Sequence, residues 1–283
     1  MEHDSLVDPD WLAEHLGEAG LCVVDASWHL PNSGRHAERE YLNGHIPGAV
    51  FFDIDRVADN DSPLPHMLPD AGDFADEAGR LGIDNETLVV VYDSLGLFSA
   101  ARVWWMFRVF GHDRVVILDG GLPAWEARGL PLETGAVDRS PVRFVAELDR
   151  ARVWALEDVR WNLDTGRARL FDARPPERFA GTAPEPRPGL PSGHIPGSVN
   201  VPFAAVTDPE TGRVRPPHEL RALFADPDQR PAVCSCGTGV TACVVAFALH
   251  CLGHDDVAIY DGSWTEWAGH GGLPIATGPG DRG

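Results

Sequence analysis

Residues 233–244 read VCSCGTGVTACV, so three of the chain's five cysteines fall between Cys234 and Cys243. Cysteine does chemistry as its thiolate, which is both a nucleophile and a metal ligand. A short apolar approach leads into Cys236 and a long apolar stretch follows Thr241. That order reads as strand, loop and helix, with Cys236 at the carboxyl end of the strand. Ligands of open α/β sheets bind at that end. Gly237 and Gly239 permit a tight curve through Thr238, Val240 and Thr241 in which successive backbone N–H groups point inward, a nest for an anion. The helix that follows adds its positive end. Such surroundings favour thiolate over thiol. Cys234 is expected to pack in the core, and Cys243 and Cys251, inside the apolar stretch, to be inert. Cys234-x-Cys236 has neither a CxxC nor a nearby His pair to complete a zinc site, so no metal is expected.

A second cluster lies upstream. Residues 174–197 form a long Pro/Gly-rich stretch with several arginines. Loops of that length in compact domains are functional or disordered. Arginines on such a loop could fork onto a carboxylate. The chain contains no lysine, and all 23 of its basic residues are arginine, so any cationic site must be built from arginine.

The elements that position these residues occur twice. GHIPGAV at 44–50 recurs as GHIPGSV at 193–199, VVDA at 23–26 as LFDA at 170–173, and FGHDRVVILDGGLPAW at 110–125 as LGHDDVAIYDGSWTEW at 252–267. This is duplication of a whole domain, not a solenoid of short units. Expected strands in the second half are 169–173, 199–202, 232–235 and 257–260. Expected helices are 241–252, apolar on nearly all sides and closing at Gly253, and 262–268. Short apolar strands alternating with helices predict an α/β fold, each half a mainly parallel sheet covered by helices on both faces. The expected domains are 1–135 and 153–283, joined by a linker at 136–152 without helical periodicity.

The repeat also serves as a control, because features of one half only are candidates for function. His45 and His194 both sit in GHIPG and are expected to anchor a turn. The tryptophans of the DGG/DGS segments are expected in the core. Aligned through the GHD and DG anchors, Cys236 falls opposite Asp93, so only the second half has a thiol at the strand's end.

The whole chain of 283 residues is 43% apolar, enough for two cores, and carries a formal charge of −20. That charge argues against nucleic-acid binding. No run approaches the ~18 apolar residues of a membrane span. The N-terminal MEHDSLVDPDWLAEHL does not read as a secretory signal. Five cysteines, four of them between 234 and 251, do not suggest a disulfide framework, and the expected compartment is the reducing cytoplasm.

With its Cys loop and duplicated GHIPG, the sequence resembles the rhodanese-type sulfurtransferases, as two tandem domains of which the second is active. Cys236-Gly237-Thr238-Gly239-Val240-Thr241-Ala242 is similar to the CG[ST]GVTA loop of the 3-mercaptopyruvate branch; thiosulfate-preferring relatives carry a basic CRKGVT-type loop. FFDID at 51–55 and SPLPHMLP at 62–69 match further segments of that branch. The resemblance implies a proton relay of Asp55, His66 and the Thr238 hydroxyl. RFAGTAPEPR at 178–187 matches the stretch that supplies two substrate-binding arginines, here Arg178 and Arg187. It further implies sulfur transfer through a Cys236 persulfide, with no cofactor, from 3-mercaptopyruvate or alternatively thiosulfate, to a thiol acceptor such as thioredoxin. A cysteine phosphatase is excluded because the arginine of C-x5-R is replaced by Ala242. A non-enzymatic persulfide carrier would not need the arginine loop.

Overall fold

The computed structural model describes residues 5–224 and 230–280. The described backbone forms two compact units. The first takes in residues up to Asn60, Leu68–Asp149 and Thr207–Val214; the second takes in Asp61–Met67, Arg150–Val206 and residues from Arg215 on.

In the first unit the strands are β1 (Leu6–Val7), β2 (Leu21–Asp25), β3 (Val50–Phe51), β4 (Leu88–Tyr92) and β5 (Val115–Leu118). The second has β6 (Val153–Trp154), β7 (Arg169–Asp172), β8 (Val199–Asn200), β9 (Ala232–Ser235) and β10 (Val257–Tyr260). The sheets run β1-β5-β4-β2-β3 and β6-β10-β9-β7-β8, the same order in each repeat, and every pairing is parallel. This is the α/β architecture that the sequence pattern implies. Strand β2 reads LCVVD and is buried at all five positions, and β9 reads AVCS and is buried at all four. Continuous burial of this kind requires both faces of a parallel sheet to be covered.

The cover next to β9 is the helix Ala242–Cys251, in which every residue except His250 is buried. An all-round apolar helix belongs in such a place. It begins one residue later and ends one residue earlier than the sequence suggests, and Gly253 follows at φ 84. Strand β8 is shorter than 199–202 because Pro202 has no N–H to give a ladder. Val201 N–H still bonds to the Asp172 carbonyl at 2.9 Å. Residues 136–149 contain no helix or strand and lie along the first unit, with Val142 N–H on Gly79 O at 2.9 Å and Asp149 N–H on Val109 O at 2.7 Å.

The repeated motifs have repeated roles. His45 Nδ1 meets Tyr41 O, and His194 Nδ1 meets Phe179 O, each at 2.8 Å. Each imidazole stacks on the ring of that same partner. Trp125 and Trp267 are fully buried, and their indole N–H groups bond to Pro131 O and Pro274 O. Among the described residues, no helix is long and apolar enough to cross a membrane.

Candidate active site

Cys236 follows the last residue of β9 directly, and the packing of β9 between β10 and β7 fixes where the loop starts. Both polar groups of the Cys236 backbone are held by the start of the helix Ser263–Gly269. Its N–H donates to Ser263 Oγ at 3.1 Å, and its carbonyl accepts from Trp264 N–H at 3.0 Å. The Gly237 carbonyl accepts from Thr265 N–H at 3.0 Å and from Thr265 Oγ1 at 2.7 Å. In a trans peptide the C=O and the following N–H point opposite ways. The N–H groups of Gly237 and Thr238 therefore face away from that helix, onto the other side of the loop. Gly239 has φ 78, which its lack of a Cβ allows. Cys236, Thr238 and Val240 are buried, and Thr241 is half-buried just before the helix Ala242–Cys251. No acidic side chain occurs between Cys236 and Ala242.

The other cysteines sort by environment. All five are free and buried. Burial, and after it the neighbouring Cys243 and Cys236, push the Cys234 thiol well above the ordinary thiol range. A thiol so disfavoured as thiolate is a poor nucleophile. The Cys243 thiol donates to the Gly239 carbonyl at 3.2 Å and so braces the loop. Among the described residues no cluster of His, Cys, Asp or Glu could hold a metal ion.

Arg178, on the short helix Pro176–Phe179, reaches the Cys loop. Its Nη2 lies 3.2 Å from the place a Cβ on Gly237 would occupy, so a side chain at 237 and this guanidinium compete for one space. Glu185 holds Arg178 there, with Nη2–Oε2 at 2.5 Å. The same carboxylate accepts from Arg174 Nη1 at 2.9 Å. Arg174 is almost wholly buried; it also pairs with Asp172 at 2.6 Å, donates to Gly193 O at 2.7 Å and lies 4.4 Å from the Trp264 ring centroid. Burial by itself disfavours the Arg174 charge. Asp172, then Glu185 and Cys236, outweigh burial and hold the guanidinium above its usual range. The result is a buried, fully paired cation with Cys236 in its electrostatic reach.

The structure thus joins Cys236, Gly237 and Arg178 directly, with Thr238, Gly239, Val240 and Thr241 on the same loop. Arg187 is half-buried, nine residues along from Arg178. His66 belongs to the segment Asp61–Met67 of this second unit; it has φ 62 and its ring nitrogens are buried. Asp55 belongs to the first unit, where its carboxylate accepts from Trp28 Nε1 at 2.9 Å. Sequence reasoning missed Arg174, Glu185 and Ser263. Two of the three carried a signal in the repeat, since Arg174 stands opposite Ser27 and Ser263 opposite Gly121.

A cysteine at a strand end, followed by a glycine-bearing loop and with an arginine beside it, is an arrangement suited to thiol-based group transfer. The model described as "Rhodanese-like domain" matches residues 8–128 and again 155–270, and the chain belongs to that family. It is 50% identical over 272 residues to the 3-mercaptopyruvate sulfurtransferase of Homo sapiens, covering 93% of this chain and 91% of the relative. It is 46% identical over 296 residues to the mitochondrial thiosulfate/3-mercaptopyruvate sulfurtransferase 1 of Arabidopsis thaliana, covering 96% and 78%. The crystal structure of SseA from Escherichia coli, described under the "Rhodanese" fold and 3-mercaptopyruvate sulfotransferases, superimposes with a TM-score of 0.84 at 42% identity over 92% of this chain and 98% of that one.

Proposed function

We propose that the protein is a 3-mercaptopyruvate sulfurtransferase that works through a persulfide on Cys236. The observation that carries this reading is the Arg178 guanidinium seated against Gly237, one residue from the thiol. A carboxylate held by Arg178 and Arg187 brings its β-sulfur to the Cys236 loop. Paired guanidinium–carboxylate contacts are directional and strong.

In the proposed reaction the Cys236 thiolate attacks the substrate sulfur. An S–S bond forms and the C–S bond breaks, its electron pair passing into pyruvate enolate. The loop amides of Gly237, Thr238, Gly239, Val240 and Thr241 stabilise the sulfur anion before and after transfer. Thr238, His66 and Asp55 move the proton that completes pyruvate. An acceptor thiolate then attacks the outer sulfur and carries it away, which restores the Cys236 thiolate. The acceptor is a thiol, thioredoxin or a small thiol, in the cytoplasm. The duplicated domains are proposed as 1–135 and 153–283, with 136–152 between them.

Thiosulfate is the rival donor, and one relative is named for both substrates. It is a dianion, and residues 237–241 offer it no cation. A monoanion held by two arginines asks less of the loop. The expected preference for 3-mercaptopyruvate is at least about tenfold in kcat/KM, or about 1.4 kcal/mol. Side-by-side steady-state assays measure it. A preference for thiosulfate overturns the substrate assignment and leaves sulfur transfer standing.

A further inference from the structure

Ser263 and Gly121 hold the same place in the two repeats, after Asp261-Gly262 and Asp119-Gly120. Both backbones are left-handed, at φ 51 and φ 56. Both precede the residue whose N–H holds the carbonyl at the end of the central strand: Trp264 N–H on Cys236 O and Leu122 N–H on Asp93 O, each at 3.0 Å. The left-handed region suits glycine and disfavours any residue with a Cβ. The first repeat has glycine, and a Cβ added there would lie 2.4 Å from the Asp93 carbonyl oxygen. The second repeat has serine, fully buried, in the same disfavoured conformation.

The serine gains one thing that glycine lacks, which is its hydroxyl. Oγ donates to Tyr260 O at 2.8 Å and accepts the Cys236 N–H at 3.1 Å. Donating to a fixed carbonyl orients the Oγ lone pairs toward that N–H. Together with Trp264 N–H on the Cys236 carbonyl, this binds both polar groups of the cysteine backbone to one rigid helix start. The Cα–Cβ bond then has one direction, and only the rotation about χ1 is left to place the sulfur. A buried N–H that lost its acceptor would turn to find another, and the sulfur would turn with it.

We infer that Ser263 is a positioning residue: its strained backbone is kept because its hydroxyl holds the Cys236 peptide in the orientation for sulfur transfer. The inference rests on the reading of Cys236 as the nucleophile. It separates Ser263 from a merely structural serine, because stability and activity are expected to part company.

Two variants test it. Ser263→Ala loses the acceptor and keeps the strain, whereas Ser263→Gly loses the acceptor and relieves the strain. Pyruvate release in a single turnover with 3-mercaptopyruvate should slow about tenfold in both, since small misplacements of reacting atoms are costly. KM for 3-mercaptopyruvate should stay within about twofold, because the arginines are untouched. The Tm of Ser263→Gly should exceed that of Ser263→Ala by roughly 2–4 °C. A Ser263→Gly enzyme within threefold of wild type, or activity losses that track Tm across the two variants, overturns the inference. Cys236→Ser is run beside them. If that variant still forms a persulfide, the nucleophile assignment fails; if it is dead while Ser263→Gly is fully active, only the role of Ser263 fails.

Discussion

Asp93 and Cys236 end equivalent strands, β4 and β9, and their carbonyls are held by equivalent amides. The side chains then diverge. The Asp93 carboxylate turns back into its own loop, where Oδ1 accepts Leu95 N–H at 2.8 Å and Oδ2 accepts the N–H groups of Phe98, Ser99 and Ala100 at 2.7–2.9 Å. Four amides at the start of the helix Ala100–Val109 thus converge on one buried anion. The loop after Cys236 leads into the equivalent helix Ala242–Cys251 and is one residue shorter, with no carboxylate of its own. One fold therefore places a loop running into a helix N-terminus at the same strand end twice. The first repeat fills it from within, with the Asp93 carboxylate, and has no thiol at that strand end. The second puts a sulfur at its edge, and in the proposed reaction the anion it would accept is the one produced at that sulfur.

The comparison breaks most clearly at the two side chains themselves. Cys236→Ser should lower sulfur transfer on the order of 10³-fold or more, since serine is protonated and a poor sulfur acceptor. Intact-mass measurement after 3-mercaptopyruvate should show one added sulfur on the wild type and none on the variant. Adding Asp93→Cys to Cys236→Ser should not restore turnover, because Ser27 stands where the second repeat has Arg174. Turnover by either protein sinks the assignment of function to the second loop.

Asp93→Ala should destabilise the protein by about 2–4 kcal/mol, because several buried N–H groups lose a charged acceptor at once. Urea unfolding measures the loss, and sulfate should recover part of it in this variant and little in the wild type. Asp93→Asn keeps the shape of the acceptor and should lose less. An Asp93→Ala protein as stable as wild type would mean that the first loop needs no anion.

Arg178→Ala and Arg187→Ala should each lower kcat/KM for 3-mercaptopyruvate by roughly ten- to a hundredfold, the worth of a charge-assisted contact of about 1.5–3 kcal/mol. Losses below about threefold in both would mean that these arginines do not hold the substrate carboxylate. The smallest effect is expected at Gly237. Its Cβ position lies against Arg178 Nη2, which Glu185 keeps from moving freely. Gly237→Ala should therefore cost only about threefold in kcat/KM, since the guanidinium must give a few tenths of an ångström. An unchanged rate would show that the clamp is loose.

Much of this arrangement is legible without coordinates. The duplication shows in GHIPG and in the GHD–DG segments. The apolar runs of β9 and the helix Ala242–Cys251 locate the thiol at a strand end. The opposition of Asp93 and Cys236 follows from alignment, although nothing in the letters says that Asp93 folds back onto four amides. Glu185 carries no signal in the sequence, since an acidic residue in an irregular loop reads as solvated surface. Its side chain is instead 3% exposed, between two arginines. The signal for Ser263 is only its place opposite Gly121, because a serine after glycine otherwise reads as turn chemistry.

The sequence by itself determined two parallel α/β repeats, the placing of Cys236 at a strand end and the neutral loop beside it. These follow from short-range patterns: a run of apolar residues commits a segment to burial whatever its partners. Tertiary structure alone decided that Arg178 meets Gly237, that Arg174 and Arg178 share Glu185, and that Ser263, 27 residues from Cys236, accepts its N–H. The physical reason is that no period governs a loop. Its path is set by which buried charges and backbone groups must find partners, and those partners come from distant parts of the chain.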